Sequence, residues 1–293
     1  MIDELLPFVE HAYTEMGKEL KAALIRQTTT VDFFPGPQMK LAFESRYSEK
    51  DAQYLARPGD ENKWKGVFNY DFGYGEIDPC YLVDLQTLLP AWRNRLLAAG
   101  QLREERFDTA GLKLHSDGIS YDGIKAKKII FCDGVNAGQS TWFRNLPFAP
   151  NKGEVLWIDA PELPAHSIFK KNIVLAPWAP GIFWVGSSYE WDFPSDLPTD
   201  SFREKTTAQL KNWLRVPFQV IDHKAAVRPA TLERRPFVGL HPQFPSLGIF
   251  NGMGTKGCSL APYFARQLAK HIKDGSPINP EVDINRFSRI LAR

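Results

Sequence analysis

The stretch Ser246–Lys273, SLGIFNGMGTKGCSLAPYFARQLAKHIK, decides how the rest of the chain is read. Leu247, Ile249 and Phe250 form a short apolar run. Gly252, Gly254 and Gly257 then spell G-x-G-x-x-G, and Leu260, Phe264, Leu268 and Ile272 share one face of a helix. Strand, glycine loop and helix in that order match the first part of a dinucleotide fingerprint. A complete fingerprint continues into a second strand that ends in an acidic residue about 20 residues on. Here the helix runs into Lys273-Asp274-Gly275-Ser276-Pro277, a stop signal, and the tail beyond is polar with no clear strand. The nucleotide reading fails at that second half. What survives is mechanical. Glycines let a backbone approach something flat or charged, and a helix N-terminus offers unpaired N–H groups and the positive end of a dipole. A glycine-rich turn without any ligand would fit the same residues.

A chain of 293 residues suits one large domain or two intimate ones. It is 43% hydrophobic and 24% charged, ordinary values for a globular protein. The net charge of +2, with Lys and Arg scattered among acids, argues against a nucleic-acid partner. Cys80, Cys132 and Cys258 are widely spaced and form no C-x-x-C, which fits a reducing compartment. The six His residues form no ligand pair, so no metal is expected. Met1 leads directly into Ile2-Asp3-Glu4, and no apolar run would cross a bilayer. A cytoplasmic location without a membrane partner is therefore the expectation. Eight Trp and twenty Phe suit either a ring-lined pocket or an aromatic core.

Residues 2–24 read as an amphipathic helix, with Leu5, Val9, Tyr13, Met16 and Leu20 at helical spacing. LIRQTTTVDFF (24–34) reads as a strand stopped by Pro35-Gly36-Pro37, and Met39–Phe43 as another. Charged Arg46–Lys63 reads as a surface helix and loop, and Trp64–Tyr74 as a strand of alternating rings. Asp78-Pro79 looks like the cap and first turn of a helix that Gly100 closes. Short strands are expected at 102–107, 112–115, 119–121 and 126–132, the last running into the glycine turn Asp133–Gly138. Strands follow at 154–158, 167–175, 182–187 and 218–224, with a helix at 201–214 capped by Asp200. The segments near 79–138 and 226–273 are α/β in character, and those near 25–74 and 153–224 are mostly antiparallel sheet. Two interleaved domains result, one from 1–24, 77–149 and 226–293, the other from 25–76 and 150–225.

Four segments together resemble the FAD-dependent oxidoreductases of the D-amino acid oxidase and glycine oxidase type. They are Ile77-Asp78-Pro79, IIFCDGVNAG (129–138), KGEVLW (152–157), and the block VRPATLERRPFVGL…GIFNGMGTKGCSLAP (227–262). Their order and spacing span nearly the whole chain, and the last block is the most specific. The resemblance implies an α/β (α+β) fold, in which an incomplete Rossmann-like FAD-binding domain is interleaved with a mostly antiparallel-sheet substrate domain. Family members open with a strand, a G-x-G-x-x-G loop, a helix and a strand ending in an acidic residue. This chain has none of that unit, and its first helix resembles the one that follows it. A chain truncated in this way is expected to bind FAD poorly and to expose apolar surface at Ile129–Phe131.

The resemblance also implies chemistry: hydride transfer to flavin from the carbon beside a nitrogen, in an amino acid or related small amine. Arg228 matches the family's carboxylate-binding arginine; the alternative is a surface or structural ion pair, for example with Glu233. Gly252, Met253, Gly254, Thr255, Lys256 and Gly257 match the loop along the flavin's pyrimidine edge, where Lys256 either adds a positive charge or is simply solvated. Gly134 and Gly138 match the turn that lets the strand end approach the cofactor. Thr255 and Val174 stand where some glycine-oxidase-like relatives carry a second arginine and a tyrosine, so the substrate stays open. Tyr70, Tyr74, Trp178 and Tyr189 are candidate pocket rings, or else core and rim. The run Gly254–Pro262 is also similar to the oxidase half of tRNA wobble-uridine modification enzymes. A non-catalytic remnant is the third alternative.

Overall fold

A computed structural model describes residues 2–57 and 59–292, so that Met1, Pro58 and Arg293 of the segments above lie outside it. In chain order it contains α1 (Ile2–Leu20), β1 (Ile25–Phe33), α2 (Pro37–Ser45), β2 (Leu55–Ala56), β3 (Tyr74–Val83) and α3 (Leu85–Ala98). Short strands β4 (Lys113–His115), β5 (Gly118–Tyr121), β6 (Ile124–Ala126) and β7 (Ile129–Phe131) follow. Then come β8 (Asn151–Asp159), β9 (Ser167–Lys171), β10 (Ile173–Ala179), β11 (Ile182–Gly186), α4 (Asp200–Trp213) and β12 (Gln219–Arg228). The last elements are β13 (Phe237–Leu240), β14 (Leu247–Asn251), α5 (Gly257–Asp274) and α6 (Ser288–Leu291). The fold is mixed α/β with mostly antiparallel sheets.

The chain divides into two compact units. The first comprises Met1–Leu24, Val83–Asn151 and Val227–Arg293, and the second Ile25–Leu82 and Lys152–Ala226. Three strands carry the chain across: β3 ends at Val83, β8 begins at Asn151 and β12 ends at Arg228.

The first unit is built on a three-stranded sheet ordered β13-β14-β7, with β14 parallel to β7 and antiparallel to β13. Both faces of that sheet are covered. Phe131, Phe143, Phe237, Leu247 and Ile249 form one core, while Val238 meets Leu260, Phe264 and Leu268 of α5 in another. Burial on both faces explains why these strands read as apolar runs and do not alternate. Helix α1 lies on α5, with the Tyr13 hydroxyl donating to the Cys258 carbonyl at 2.9 Å and Phe8 meeting Tyr263 edge to face. Beyond α5 the described residues contain no further strand, so the glycine loop does not open a βαβ unit. The apolar exposure expected at Ile129–Phe131 is not found at Phe131, which is buried against Phe107, Trp142 and Phe143; Ile129 and Ile130 are half-buried.

The second unit holds an eight-stranded sheet ordered β12-β8-β11-β10-β9-β1-β3-β2, in which β1 and β9 are parallel. Its core centres on Phe33, whose ring lies 4.9 Å from Phe68 and Tyr70 and 5.7 Å from Trp213 of α4. This cluster explains several departures from the expected elements. Phe68, Tyr70 and Tyr74 alternate because they pack around Phe33, and 64–73 forms turns, bends and irregular chain before β3 begins at Tyr74. Met39–Phe43 lies in helix α2, started by Pro37, and places Phe43 against Phe34. Asp78-Pro79 lies inside β3 and opens no helix. Short β2 pairs only with Glu76 and Ile77, so Pro79 sits beyond that pairing, where a strand tolerates a residue without an N–H. Helix α3 begins at Leu85, capped by Asp84, whose carboxylate accepts from the Thr87 amide at 3.0 Å. Residues 167–175 form two strands, because Asn172 turns at φ 61° between Lys171 and Ile173. Leu102–Phe107 forms no strand, and Thr199 caps α4 in place of Asp200.

The β12-β8 end of this sheet carries a buried charge cluster. Lys152 and Glu154 are 1% and 0% exposed, 3.1 Å apart, and His223 Nε2 reaches the second carboxylate oxygen at 2.9 Å. The Thr199 amide and hydroxyl both donate to Glu154, which thereby sits at the N-terminus of α4. Burial pushes the Glu154 carboxyl up, but the Thr199 and Lys152 donors outweigh it and hold it below the ordinary 4.5. A depressed carboxyl contributes stability that is present above its unfolded value and is lost as pH falls through its folded value. Urea midpoints are therefore expected to drop as pH falls from roughly 4.5 downward. Glu154→Gln should flatten that acid limb. Glu154→Ala, which strands a buried ammonium, should cost about 3–5 kcal/mol in the same titration. An unchanged urea midpoint in Glu154→Ala would count against this role.

Candidate functional site

The residues singled out in the first unit converge on the end of β14. Asn251, the last residue of that strand, is 4% exposed. Its side-chain nitrogen donates to the Gly134 carbonyl at 2.9 Å and to Asp133 Oδ1 at 3.3 Å. Its side-chain oxygen accepts from the Gly252 amide at 2.8 Å. One carboxamide thus ties the turn after β7 to the glycine loop after β14. Desolvation pushes the Asp133 carboxyl up, while the Asn251 hydrogen bond draws it back.

The three loop glycines differ. Gly252 is left-handed at φ 76°, and a Cβ there would stand 2.6 Å from Thr231 Cγ2. Thr231 cannot yield readily, because its hydroxyl donates to the Arg235 carbonyl at 2.8 Å and accepts from the Arg235 amide at 3.0 Å. Gly254 is left-handed at φ 54°, its nearest neighbour is Ala230 at 3.8 Å, and its amide donates to the Pro229 carbonyl at 3.3 Å. Gly257 has helical φ −54° and meets only Met253, at 3.9 Å. Gly134, left-handed at φ 60°, and Gly138 both border open space. Met253 is half-buried against the α5 core, and Thr255 and Lys256 are exposed.

Helix α5 starts without a side-chain cap and without an acid in its first turn. Its N-terminal amides and positive dipole end are therefore available to an anionic group. With the open space at Gly134 and Gly138, this helix end fits the electron-rich edge of a flavin. The Cys132 and Cys258 thiols are both pushed up by desolvation.

Arg228 closes the constellation. It ends β12 one residue before Pro229, which accepts from Gly254. Its Nη1 donates to Asn151 Oδ1 at 2.7 Å. The expected pairing with Glu233 is not observed, because Glu233 pairs with Arg286 at 3.1 Å. Arg228, Gly134 and the 252–257 loop are thus brought together in one unit.

The four candidate rings belong to the other unit and form no single cluster. Tyr70 and Tyr74 are buried beside Phe33, their hydroxyls donating to the Glu61 and Asp60 carbonyls at 2.8 and 2.7 Å. Burial first, with Glu76 adding to it, pushes the Tyr74 phenol up to about 12. Tyr74 also borders a cavity of about 390 Å³ with Phe34, Phe43 and Arg57. Trp178 is exposed and meets Trp157 edge to face at 5.5 Å, and exposed Tyr189 stacks on Trp191. Sequence reasoning missed Asn251, Asn151 and Thr231. For Asn251 the only local signal is its place before the first glycine.

Comparison with known proteins follows this geometry. The FAD dependent oxidoreductase family, DAO, matches residues 3–271. The tRNA 5-methylaminomethyl-2-thiouridine biosynthesis bifunctional protein MnmC of Caulobacter sp. strain K31 is 26% identical over 222 residues, covering 72% of this chain and 36% of that protein. Glycine oxidase of Pseudomonas aeruginosa is 28% identical over 160 residues, covering 53% of this chain and 44% of that protein. The match spans less than half the length of either relative. The crystal structure of glycine oxidase from Geobacillus kaustophilus has the same fold, with a TM-score of 0.79 over 97% of this chain and 80% of that one, at 15% identity.

The glycines yield a contrast that thermal melts will read. Gly252→Ala is expected to destabilise strongly, by about 2 kcal/mol or more, since it combines backbone strain with a clash. Gly257→Ala should be neutral or stabilising by up to about 1 kcal/mol, because alanine is the better helix former. Equal losses in the two variants would contradict these separate roles.

Proposed function

This chain belongs to the DAO family of FAD-dependent oxidoreductases, and we propose that it serves oxidation of the C–N bond of an amino acid or related small amine. The observation that carries the proposal is the junction of Arg228 with the glycine loop. The arginine is held by Asn151, and the next residue, Pro229, accepts a hydrogen bond from Gly254.

When bound, FAD supplies the hydride acceptor. The chain's own residues bind and orient. The planar fork of Arg228 suits a carboxylate, which it can hold through two parallel hydrogen bonds. That contact would fix the carbon beside the nitrogen without taking part in bond breaking. The positive dipole end of α5, beside the loop that runs from Gly252 through Met253, Gly254, Thr255 and Lys256 to Gly257, favours negative charge developing along the cofactor's edge. Exposed Lys256 adds positive charge at the same helix end. Gly134 and Gly138 leave the backbone open to close approach. In the second unit, Trp178 and Tyr189 are the rings accessible to a substrate, whereas Tyr70 and Tyr74 act through packing.

A second reading keeps the chemistry and places the amine on a tRNA. The 26% identity to the Caulobacter protein over 222 residues favours it, and the net charge of +2 counts against it. Filter binding to bulk tRNA separates the two. Salt-insensitive, weak retention is expected, and tight salt-dependent retention would favour the tRNA reading.

The proposal is tested on the protein expressed from its complete reading frame. The preparation is expected to be yellow and to be bleached anaerobically by some member of a panel of amino acids and secondary amines. A colourless protein that takes up no FAD would overturn it. Arg228→Gln should raise KM for carboxylate-bearing substrates about 10–100-fold with a smaller change in kcat. An unaltered KM would remove Arg228 from the site.

A further inference from the structure

The cavity of about 390 Å³ beside Tyr74 lies wholly within the second unit, lined by α2 and by the segment that leads into β3. Its walls are aromatic. Phe43 seats α2, with its ring so close to the Gly75 backbone that a Cβ there would stand 2.2 Å from it. Phe34 meets Phe43 at 5.2 Å, and Phe43 meets Tyr47 edge to face at 5.6 Å. The Arg57 guanidinium lies over the Tyr47 ring, 4.7 Å from its centroid. Phe72, 38% exposed, and Tyr74 complete the rings. The Tyr74 hydroxyl is already taken by the Asp60 carbonyl, so the ring is what Tyr74 offers a ligand.

Packing accounts for Phe34 and Phe43 but not for the charges beside them. Lys40 and Glu44 share the cavity face of α2 with Phe43, and Arg57 and Glu61 line the same space. Lys40 is half-buried, and the other three are exposed. Side chains four apart on a helix are within reach of one another, yet Lys40 and Glu44 do not pair. Among the described residues Arg57 and Glu61 make no ion pair either. Two cations and two anions therefore border one aromatic space without neutralising each other. A simple anion in it meets Glu44 and Glu61, and a simple cation meets Lys40 and Arg57. A molecule that carries both charges suits both pairs, and an apolar body gains by burial against the rings. The volume falls in the range of small-molecule sites, roughly 300–1,000 Å³. We propose that this cavity binds a free amino acid with an aromatic or other apolar side chain, its carboxylate drawn to Lys40 and Arg57 and its ammonium to Glu44 and Glu61. The site is independent of the reading of Arg228.

The test uses the protein expressed from its complete reading frame and carrying Arg228→Gln, so that the carboxylate arginine of the proposed oxidation does not contribute. Phenylalanine of either hand is titrated calorimetrically. Phenethylamine, 3-phenylpropionate and glycine, which lack the carboxylate, the ammonium and the ring in turn, are titrated beside it. Phenylalanine is expected to bind with a Kd of about 1 mM or tighter, and each of the three fragments about tenfold more weakly. Lys40→Gln should weaken phenylalanine about tenfold without weakening phenethylamine. Glu44→Gln should weaken it about tenfold without weakening 3-phenylpropionate. Both leave Phe43 in place, so the melting temperature is expected to stay at the parent value. If a helix variant does not fold, Phe72→Ala still decides the outcome, because it removes an exposed ring and should weaken phenylalanine while leaving glycine unaffected. Equal affinity for phenylalanine and its fragments, or parent affinity in the folded variants, overturns the inference. Phenylalanine binding that is present with Arg228 intact and lost in Arg228→Gln belongs to Arg228, in which case this inference falls and the reading of Arg228 stands.

Discussion

The carboxamide of Asn251 is the contact on which the arrangement of the first unit depends. Strands β7 and β14 run parallel, so their loops leave from the same end of the sheet. Parallel pairing alone does not fix where two such loops go. Asn251 does so by donating into one loop and accepting from the other, using both ends of one buried amide. An amide buried in this way is costly to leave unpaired, so the loops are held together by the penalty for parting as well as by the bonds. Gly252 then turns back under Thr231, the Arg228–Thr231 segment is clamped, and α5 begins with its amides uncapped.

The second unit has a corresponding anchor of the opposite character. Glu154 is fully buried and carries a formal charge, and it is satisfied by Lys152, His223 and Thr199 together. Such clusters contribute little net stability compared with apolar packing, but they tolerate few alternative geometries. This one joins β8, β12 and the start of α4. Rigidity is thereby placed next to Asn151, the residue before Lys152. The alternation of β8 sets these roles apart in consecutive residues.

The parts of this organisation that were legible in the sequence are those with local causes. The apolar spacing of α5, the stop at Gly275 and the glycine loop all follow from residues within a few positions of one another. The Arg-Pro run and the glycine block downstream are adjacent in the fold as well, through the Gly254 amide and the Pro229 carbonyl. The parts that were not legible depend on distant partners. Asn251 meets Gly134 across 117 positions, and Arg228 meets Asn151 across 77. Asp78-Pro79 has the local signature of a helix start, yet β3 takes it up because its neighbours in the sheet are supplied from elsewhere. Rings at alternate positions in 64–74 suggested a strand, but the period came from packing around Phe33. The same pattern of buried and exposed residues can arise from a pleat or from a cluster, and only the partners distinguish them.

The discontinuity of the two units has a consequence for how the chain is made. The second unit is complete once Ala226 has emerged, whereas the first also needs the segment that begins at Val227. Helix α1 is separated from its partner α5 by 245 residues, judged by the bond from Tyr13 to Cys258. At cellular synthesis rates of about 5–20 residues per second, that interval is on the order of 10–50 s. Throughout it Phe8 and Tyr13 lack their α5 partners Tyr263 and Cys258. The face that α1 presents to α5 is therefore covered only after the whole second unit has been made.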